Sequence, residues 1–274
     1  MPELPEVETV CRGLANNITG KKIVHALVHN PKLRIPLPGD FAYSVNTLTV
    51  QTVSRRAKYI LIECSRQMTL VIHLGMSGSV VIHKKPPAAY KKHDHVVFLL
   101  SDGSAVLYHD PRRFGLILLC ATAEVKNHRL FSHLGPEPLG DTWKRVDLYN
   151  ALQNKKSPVK TVIMDQQVVV GVGNIYACEA LFEAGIHPAR AAYLVTAHEA
   201  TKLHKAIRNV LRAAIASGGS TLKDYVKSSG DTGYFQHRFR VYDRRGVPCK
   251  VCTTAITSIR QSGRSSFFCP SCQK

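Results

Sequence analysis

The chain has 274 residues, of which 45% are hydrophobic, and this length and composition indicate a globular fold with two domains rather than a disordered chain. Its 37 Lys and Arg residues outnumber 19 Asp and Glu residues, and the net charge of +18 favours a polyanionic partner, nucleic acid first and an anionic membrane surface second. No apolar run reaches the roughly 18 residues of a membrane span, and the amino terminus lacks a secretion signal, so we expect a cytoplasmic protein.

The first ten residues are acidic within this basic chain. Removal of Met1 would leave the Pro2 nitrogen as a free secondary amine close to the carboxylates of Glu3 and Glu6. Such an amine can attack a carbon with carbonyl character while a carboxyl group moves protons, which is Schiff-base chemistry. The alternative is a plain helix start, since Pro and Glu are both favoured in a first helical turn. The spacing of apolar residues predicts that helix over 4–16.

Short β-rich runs with turn signals between them follow the first helix. Asp-Gly at 102–103 is one such turn signal. Many short strands with regular turns are typical of a β-sandwich or barrel. The predicted strands are 22–28, 47–53, 59–64, 69–74, 79–83, 95–100, 105–109 and 115–119.

Several motifs in this β-rich region carry candidate nucleic-acid contacts. Met76, in His-Leu-Gly-Met-Ser-Gly, and Arg112 with Phe114, in Asp-Pro-Arg-Arg-Phe-Gly, lie in predicted turns. Apolar wedges combined with Arg suit a protein that fills the space left by an extruded base, although single Met and Phe residues are more often part of a core. Lys58 belongs to a basic run and suits a phosphate or the active amine, with surface charge as the alternative. His93, in His-Asp-His, is assigned to hydrogen bonding or phosphate contact because no third metal ligand lies at a suitable spacing.

The pattern becomes helical after a Gly- and Pro-rich loop at 134–141, where we place a domain boundary. Helices are predicted over 174–184 and 196–217, the second with a capping box and a glycine stop. The first begins at Asn174, directly after Gly-Val-Gly, and a helix start of this kind can hold a phosphate. Residues 218–234 are predicted to form a long loop, and loops of that length are often functional.

The last part of the chain contains a four-cysteine module. Two Cys-x-x-Cys pairs separated by sixteen residues bring four thiolates within reach of one tetrahedral zinc ion. Two disulfides are the alternative, which the missing export signal disfavours. With four protein ligands the metal has no open position, so its role is structural. Arg264, between the pairs, is suited to clamp phosphate. The predicted ligands are Cys249, Cys252, Cys269 and Cys272; the cysteines predicted to be small buried hydrophobes are Cys11, Cys64, Cys120 and Cys178.

Together these motifs resemble the formamidopyrimidine-DNA glycosylase family of bacterial 8-oxoguanine repair enzymes. The resemblance extends over nearly the whole chain, with the motifs in the family's order. It rests on 2–9, 56–59, 73–78, 110–115, 171–177 and the four cysteines. Leu4 matters as well, because the sister endonuclease VIII branch, which removes oxidised pyrimidines, typically has Gly there.

The resemblance implies an α+β multidomain fold. Residues 1–135 would form a catalytic domain of an N-terminal helix plus a β-sandwich, and 136–235 a helix–two-turns–helix domain that includes the base-capping loop. Residues 236–274 would form the zinc finger. The implied partner is double-stranded DNA containing oxidised purines, with no membrane. We expect a monomer in the bacterial cytoplasm, associated with the nucleoid, holding one structural zinc ion.

The resemblance also implies residue roles. Pro2 would attack C1′ of the flipped nucleotide while Glu3 manages protons, and β- then δ-elimination would cut both sides of the sugar. Lys58 would contact phosphate and support the reaction, and Glu6 would orient the amine or sugar. The implied DNA contacts are Met76, His93, Arg112, Phe114, Asn174 and Arg264. Which of the lysines at 155, 156 and 160 touches the lesion stays open.

Two alternative functions remain at this point. One is the same enzyme class acting on oxidised pyrimidines. Leu4 and the set of Met76, Arg112 and Phe114 favour the oxidised-purine enzyme over this alternative. The other is a non-catalytic DNA-binding protein with a zinc ribbon, which would have no use for Pro2 as a free amino terminus.

Overall fold

The structure, a computed structural model, describes residues 2–220 and 235–274. The chain forms two compact units, one containing residues 2–132 and 217–220 and the other 133–216 and 235–274. The loop predicted over 218–234 lies outside the described residues from position 221 onward, and the three domain ranges stay a prediction. Among the described helices, none combines the length and apolar character needed to span a membrane.

The first unit combines one long helix with two antiparallel four-stranded sheets. One sheet has the strand order β1-β6-β7-β5 and the other β2-β3-β4-β8. Helix α1 precedes both, and the short helix α2, which the sequence analysis did not predict, follows β1. The bounds are α1 Leu4–Ile18, β1 Ile23–Val28, α2 Phe41–Val45, β2 Val50–Arg56, β3 Tyr59–Cys64, β4 Met68–His73, β5 Ser79–His83, β6 Asp94–Leu100, β7 Ala105–His109 and β8 Leu116–Ala121.

A single apolar core joins the two sheets and α1. Burial alternates along β3, where Ile60, Ile62 and Cys64 point inward, as expected of a strand with one face on the core. Val10 and Leu14 of α1 belong to the same buried cluster. The predicted β-sandwich and first helix are therefore confirmed, because one set of inward-facing side chains fills the space between the layers.

The second unit is built around two helices packed on each other, α5 (Asn174–Ala184) and α6 (Ala197–Ala216). The capping box of α6 is present, since Thr196 N–H donates to Glu199 Oε2 at 2.9 Å and Glu199 N–H to Thr196 Oγ1 at 3.3 Å. Two further helices, α3 (Arg145–Gln153) and α4 (Val159–Ile163), were not predicted.

The carboxyl-terminal part of this unit is a small finger with one hairpin, β9 (Thr257–Gln261) and β10 (Arg264–Phe268). A buried carboxylate attaches the start of the finger to α5. Glu179 accepts three backbone N–H bonds of 2.8 to 3.0 Å, from the consecutive residues 240, 241 and 242. These bonds satisfy the carboxylate although only 3% of the residue is exposed.

Candidate active site and nucleic-acid contacts

Two buried carboxylates lie close to Pro2 at the start of the described chain. Pro2 is buried, and Glu3 and Glu6 are each 2% exposed. Glu3 N–H donates to Glu6 Oε2 at 2.8 Å, while Glu6 Oε1 accepts the N–H and the hydroxyl of Ser220 at 2.8 and 3.0 Å. Glu6 is therefore fixed from two directions, and its supporting role stays a prediction.

A glycine allows this second attachment of Glu6. Gly219 has φ +79°, and a Cβ there would lie 3.2 Å from Glu6 Oε1, tighter than ordinary van der Waals contact. A side chain at this position would be strained by the positive φ and would require Glu6 to shift by a few tenths of an ångström. Ser220 was not singled out in the sequence, because nothing local indicates a contact with a residue 214 positions away.

Lys58 lies in the two-residue turn between β2 and β3 and is 8% exposed. Its charge acts on His73, at the end of β4. Burial, followed by the charge of Lys58, lowers the pKa of His73 to about 4. The neutral ring accepts the N–H of Gly75 at its Nδ1, at 3.0 Å. His73 belongs to the motif at 73–78, but nothing in the sequence indicates this role for it.

The two predicted wedge turns carry exposed side chains. Met76 is 37% exposed and Phe114 is 48% exposed, so neither belongs to the core. The guanidinium of Arg112 lies 5.0 Å from the centroid of the Phe114 ring, within cation–π range. Apolar side chains held at the surface next to an Arg match the chemistry predicted for filling an emptied base position.

His93 is half-buried and lies among other imidazoles. Its ring centroid is 6.1 Å from that of His95 and 5.9 Å from that of His109. Desolvation and then the charges of His109 and Lys92 hold the pKa of His93 below its usual range. A neutral imidazole offers one N–H to a phosphate oxygen. The flanking Asp94 binds His109 at 2.8 Å, and the phosphate or hydrogen-bonding role of His93 stays a prediction.

In the second unit, Asn174 is the first residue of α5 and is bonded on both sides of its amide. Its Oδ1 accepts from Lys160 Nζ at 2.5 Å, and its Nδ2 donates to the carbonyl of Ser265 at 3.0 Å. The same Lys160 ammonium donates to Ser266 Oγ at 2.6 Å and is 2% exposed. Lys160 thus joins α4, the start of α5 and strand β10.

Arg264 is exposed at the start of β10, on the hairpin where the sequence places it. Together with Lys155 and Lys160 it lines a cleft of about 370 Å³. Asp165 also lines the cleft, and the ammonium of Lys160 is already bonded to Asn174 and Ser266. The exposed Lys155 and Arg264 are therefore the cations of this cleft that can meet a phosphate.

The four predicted metal ligands converge on one point. Their sulfur atoms all lie within 4.8 Å of one another, with 4.0 Å between Cys249 and Cys272 and 3.4 Å between Cys252 and Cys269. Tetrahedral Zn–S bonds of about 2.3 Å place two sulfurs roughly 3.8 Å apart, so the donor set fits one zinc ion. Among the described residues this is the only such group. Of the other cysteines, Cys120 is partly exposed rather than buried.

Comparison with known families matches three parts of the chain. The profile of the formamidopyrimidine-DNA glycosylase N-terminal domain covers residues 1–117, and that of the formamidopyrimidine-DNA glycosylase H2TH domain covers 134–226. The zinc finger found in FPG and IleRS covers 246–274. The predicted fold class and the single structural zinc ion are therefore confirmed.

Individual relatives match over full length. A formamidopyrimidine-DNA glycosylase from Dinoroseobacter shibae is 48% identical over 284 residues, covering 100% of both chains. The Lactococcus lactis FPG mutant T221P, solved with DNA containing Fapy-dG, superposes with a TM-score of 0.93 at 34% identity over 100% of both chains. The Lactococcus lactis Fpg solved with DNA containing an abasic site gives 0.92 at 32% identity over 99% of both chains.

Proposed function

The chain belongs to the formamidopyrimidine-DNA glycosylase family, and on that basis we propose that Pro2 is its nucleophile and Glu3 its proton-transfer group. It is a DNA glycosylase of base-excision repair that removes oxidised purines from duplex DNA, and an abasic-site lyase. The observation that carries the residue assignment is the buried start of α1, where Pro2 lies beside two buried carboxylates.

The proposed reaction uses Pro2 and Glu3 in turn. The Pro2 nitrogen attacks C1′ of the extruded nucleotide, and the bond from C1′ to the damaged base breaks. The base leaves with the bonding electron pair and takes up a proton, while the Pro2 nitrogen loses its own proton. Glu3 supplies a proton as the sugar ring opens, which gives an iminium between Pro2 and C1′. The iminium acidifies the neighbouring C2′–H, and loss of that proton expels the 3′ phosphate. The conjugated iminium that results then loses the C4′ proton and expels the 5′ phosphate. Glu6 holds the Glu3 backbone in place throughout.

The DNA contacts divide by chemistry. Lys58 and His93 approach phosphates from the first unit, and Met76, Arg112 and Phe114 occupy the position of the extruded base. Asn174 and Arg264 bind phosphates from the second unit. Lys160 orients Asn174 by donating to its side-chain oxygen. Lys155 lines the cleft beside Arg264. We further propose that the protein acts as a monomer on the bacterial nucleoid.

Borohydride trapping tests the nucleophile. We expect a covalent protein–DNA adduct, located on Pro2 by mass spectrometry, when processed protein meets a duplex with 8-oxoguanine opposite cytosine and reductant is added. Pro2→Gly, and a protein with residues left ahead of Pro2, should bind the duplex without cutting it. Normal strand cutting by the blocked protein would sink the mechanism. An adduct formed only with an oxidised pyrimidine would instead indicate the sister specificity, and binding with no adduct would indicate a silent DNA-binding protein.

A further inference from the structure

The two turns that carry the wedge side chains are bonded to a single buried carboxylate, that of Asp110. This residue follows β7 and is fully buried, with 0% exposed. Its Oδ1 accepts the hydroxyl of Ser77 at 2.8 Å and the N–H of Arg112 at 3.3 Å. Its Oδ2 accepts the N–H of Gly115 at 2.9 Å. The Asp110 side chain therefore bonds to both turns, although Ser77 lies 33 residues before it in the chain.

Each of these bonds lies at or next to a wedge residue. Ser77 directly follows Met76, the Arg112 bond is to that residue's own N–H, and Gly115 directly follows Phe114. The carboxylate thus fixes the backbone on which all three exposed side chains stand, while leaving the side chains themselves free to contact DNA.

The turns also touch each other directly. Gly75 has φ +63°, and a Cβ there would lie 2.4 Å from the Gly115 nitrogen and 2.5 Å from the Phe114 carbonyl carbon. Any larger residue would force the turns apart. The spacing between Met76 and Phe114 is therefore set by backbone packing as well as by the Asp110 bonds.

The backbone of Asp110 is itself anchored. Its carbonyl accepts His95 Nε2 at 2.7 Å, and its N–H donates to the carbonyl of His93 at 3.0 Å. Both partners lie at or next to the start of β6, so the carboxylate is fixed to the sheet rather than to the turns alone.

We propose that Asp110 is a positioning residue that holds the wedge ready before DNA is bound. The proposal rests on the role given above to Met76, Arg112 and Phe114. Ordering a loop and its side chains at the moment of binding costs conformational entropy, and that cost lowers the rate of any step that requires the ordered form. A wedge ordered in advance therefore lowers the barrier to extruding a stacked, paired nucleotide.

The test compares lesions that differ in how much extrusion costs. We expect Asp110→Asn, which replaces one acceptor oxygen with an NH2 group, to slow single-turnover excision of 8-oxoguanine paired with cytosine about tenfold. A loss of this order follows when one charge-assisted hydrogen bond that holds a reactive geometry is removed. The loss should be markedly smaller for the same lesion without an opposite base, because extruding an unpaired base costs less. Ser77→Ala keeps the carboxylate but removes the hydroxyl that donates to Asp110 and accepts the N–H of Arg112 at 3.3 Å, and it should show the same dependence on pairing.

A matched control is available at the other end of β7. Asp102 bonds to the hairpin between β6 and β7, accepting the N–H and hydroxyl of Ser104 at 3.0 and 2.6 Å. Asp102→Asn should give no loss that depends on pairing. Met76→Ala tests the underlying wedge role and should show the pairing-dependent loss.

The outcomes distinguish the positioning role of Asp110 from the wedge role of the exposed side chains. Equal losses on paired and unpaired lesions in both Asp110→Asn and Ser77→Ala would reduce Asp110 to a structural residue and overturn the proposal. Full activity of both variants on the paired lesion would overturn it as well. If Met76→Ala shows the pairing-dependent loss and these variants do not, only the positioning role fails. If Met76→Ala lacks that loss, the wedge role fails and the proposal falls with it.

Discussion

The polar side chains near the amino terminus are controlled by partners that come from elsewhere in the chain. Glu6 is held by Ser220, and the ionisation of His73 is set by burial and by Lys58. Both effects concern single groups, so each can be altered by one substitution. The effect on His73 is easier to measure than the effect on Glu6, because the lowered pKa of His73 makes the stability of the protein depend on pH.

We predict that His73 makes the protein less stable in mild acid. Its folded pKa of about 4 lies below the unfolded value of about 6.5. Between these values the unfolded chain takes up a proton that the folded protein does not bind, so the free energy of unfolding falls as pH is lowered through this window. At pH 5 the loss relative to pH 7 should be about 2 kcal/mol. Urea unfolding of the wild type and of His73→Asn at both pH values measures it.

His73→Asn keeps an acceptor near the Gly75 N–H but does not titrate in this range, so it should lack that part of the pH dependence. The exposed His25 supplies a control, since His25→Asn should behave like the wild type. The same pH dependence in wild type and His73→Asn would contradict the buried, neutral state of this ring.

Residue types could be predicted from the sequence, whereas their contacts could not. Pro2, Glu3 and the wedge residues stand out because their chemistry is unusual for their position. Asp110 and Ser77 carry no such signal. In the sequence Asp110 looks like any aspartate in a turn, and only the folded chain shows that it is buried and accepts several hydrogen bonds. Bonds between distant residues depend on the tertiary fold, which local patterns do not encode.

At the scale of elements, strands were easier to predict than short helices. The bounds of β3, β5 and β7 agree with prediction, because strong apolar alternation between turn residues leaves little choice of register. Helix α4 has five residues, including two Val and one Ile, and too few turns to show a helical period. It forms because tertiary packing buries four of its five residues.

The finger is the element whose formation depends on metal. We predict that Cys249→Ser lowers the zinc content well below one ion per chain and weakens binding to damaged duplex at least tenfold. The reason is that β9 and β10 make a two-stranded hairpin, too small to be stable without the metal. Zinc release with a chromogenic chelator and fluorescence anisotropy with labelled duplex provide the measurements.

Cys178 offers a matched control, because it is buried in the same apolar cluster as Cys249 and is not one of the four converging thiols. Cys178→Ser should keep its zinc and its affinity for DNA. Unchanged binding by a metal-free Cys249→Ser protein would refute the proposed role of the finger in holding Arg264 on the phosphate.

At the scale of the whole molecule, the surplus of positive charge is the property that predicts the class of partner most directly. The net charge is +18, and between Arg240 and Lys274 the only acidic residue is Asp243. Both units contain proposed phosphate contacts, so attraction to DNA does not depend on one patch. Composition indicates the class of partner in this way, but the lesion that is recognised depends on the individual site residues.

We predict that affinity for the damaged duplex falls steeply with salt. Lys58 and Arg264 supply two phosphate-binding cations to the proposed interface, and two neutralised phosphates give a slope of about −1.8 in log K against log salt. Affinity should therefore drop roughly 12-fold between 50 and 200 mM salt. Arg264→Gln should reduce the slope by about 1, whereas Arg12→Gln, which removes an equal charge from an exposed site paired with Glu8, should leave it unchanged. Titrations by anisotropy at four salt concentrations distinguish the two. A flat salt dependence, or equal slopes for both variants, would contradict a phosphate clamp at Arg264 and leave net charge as the source of affinity.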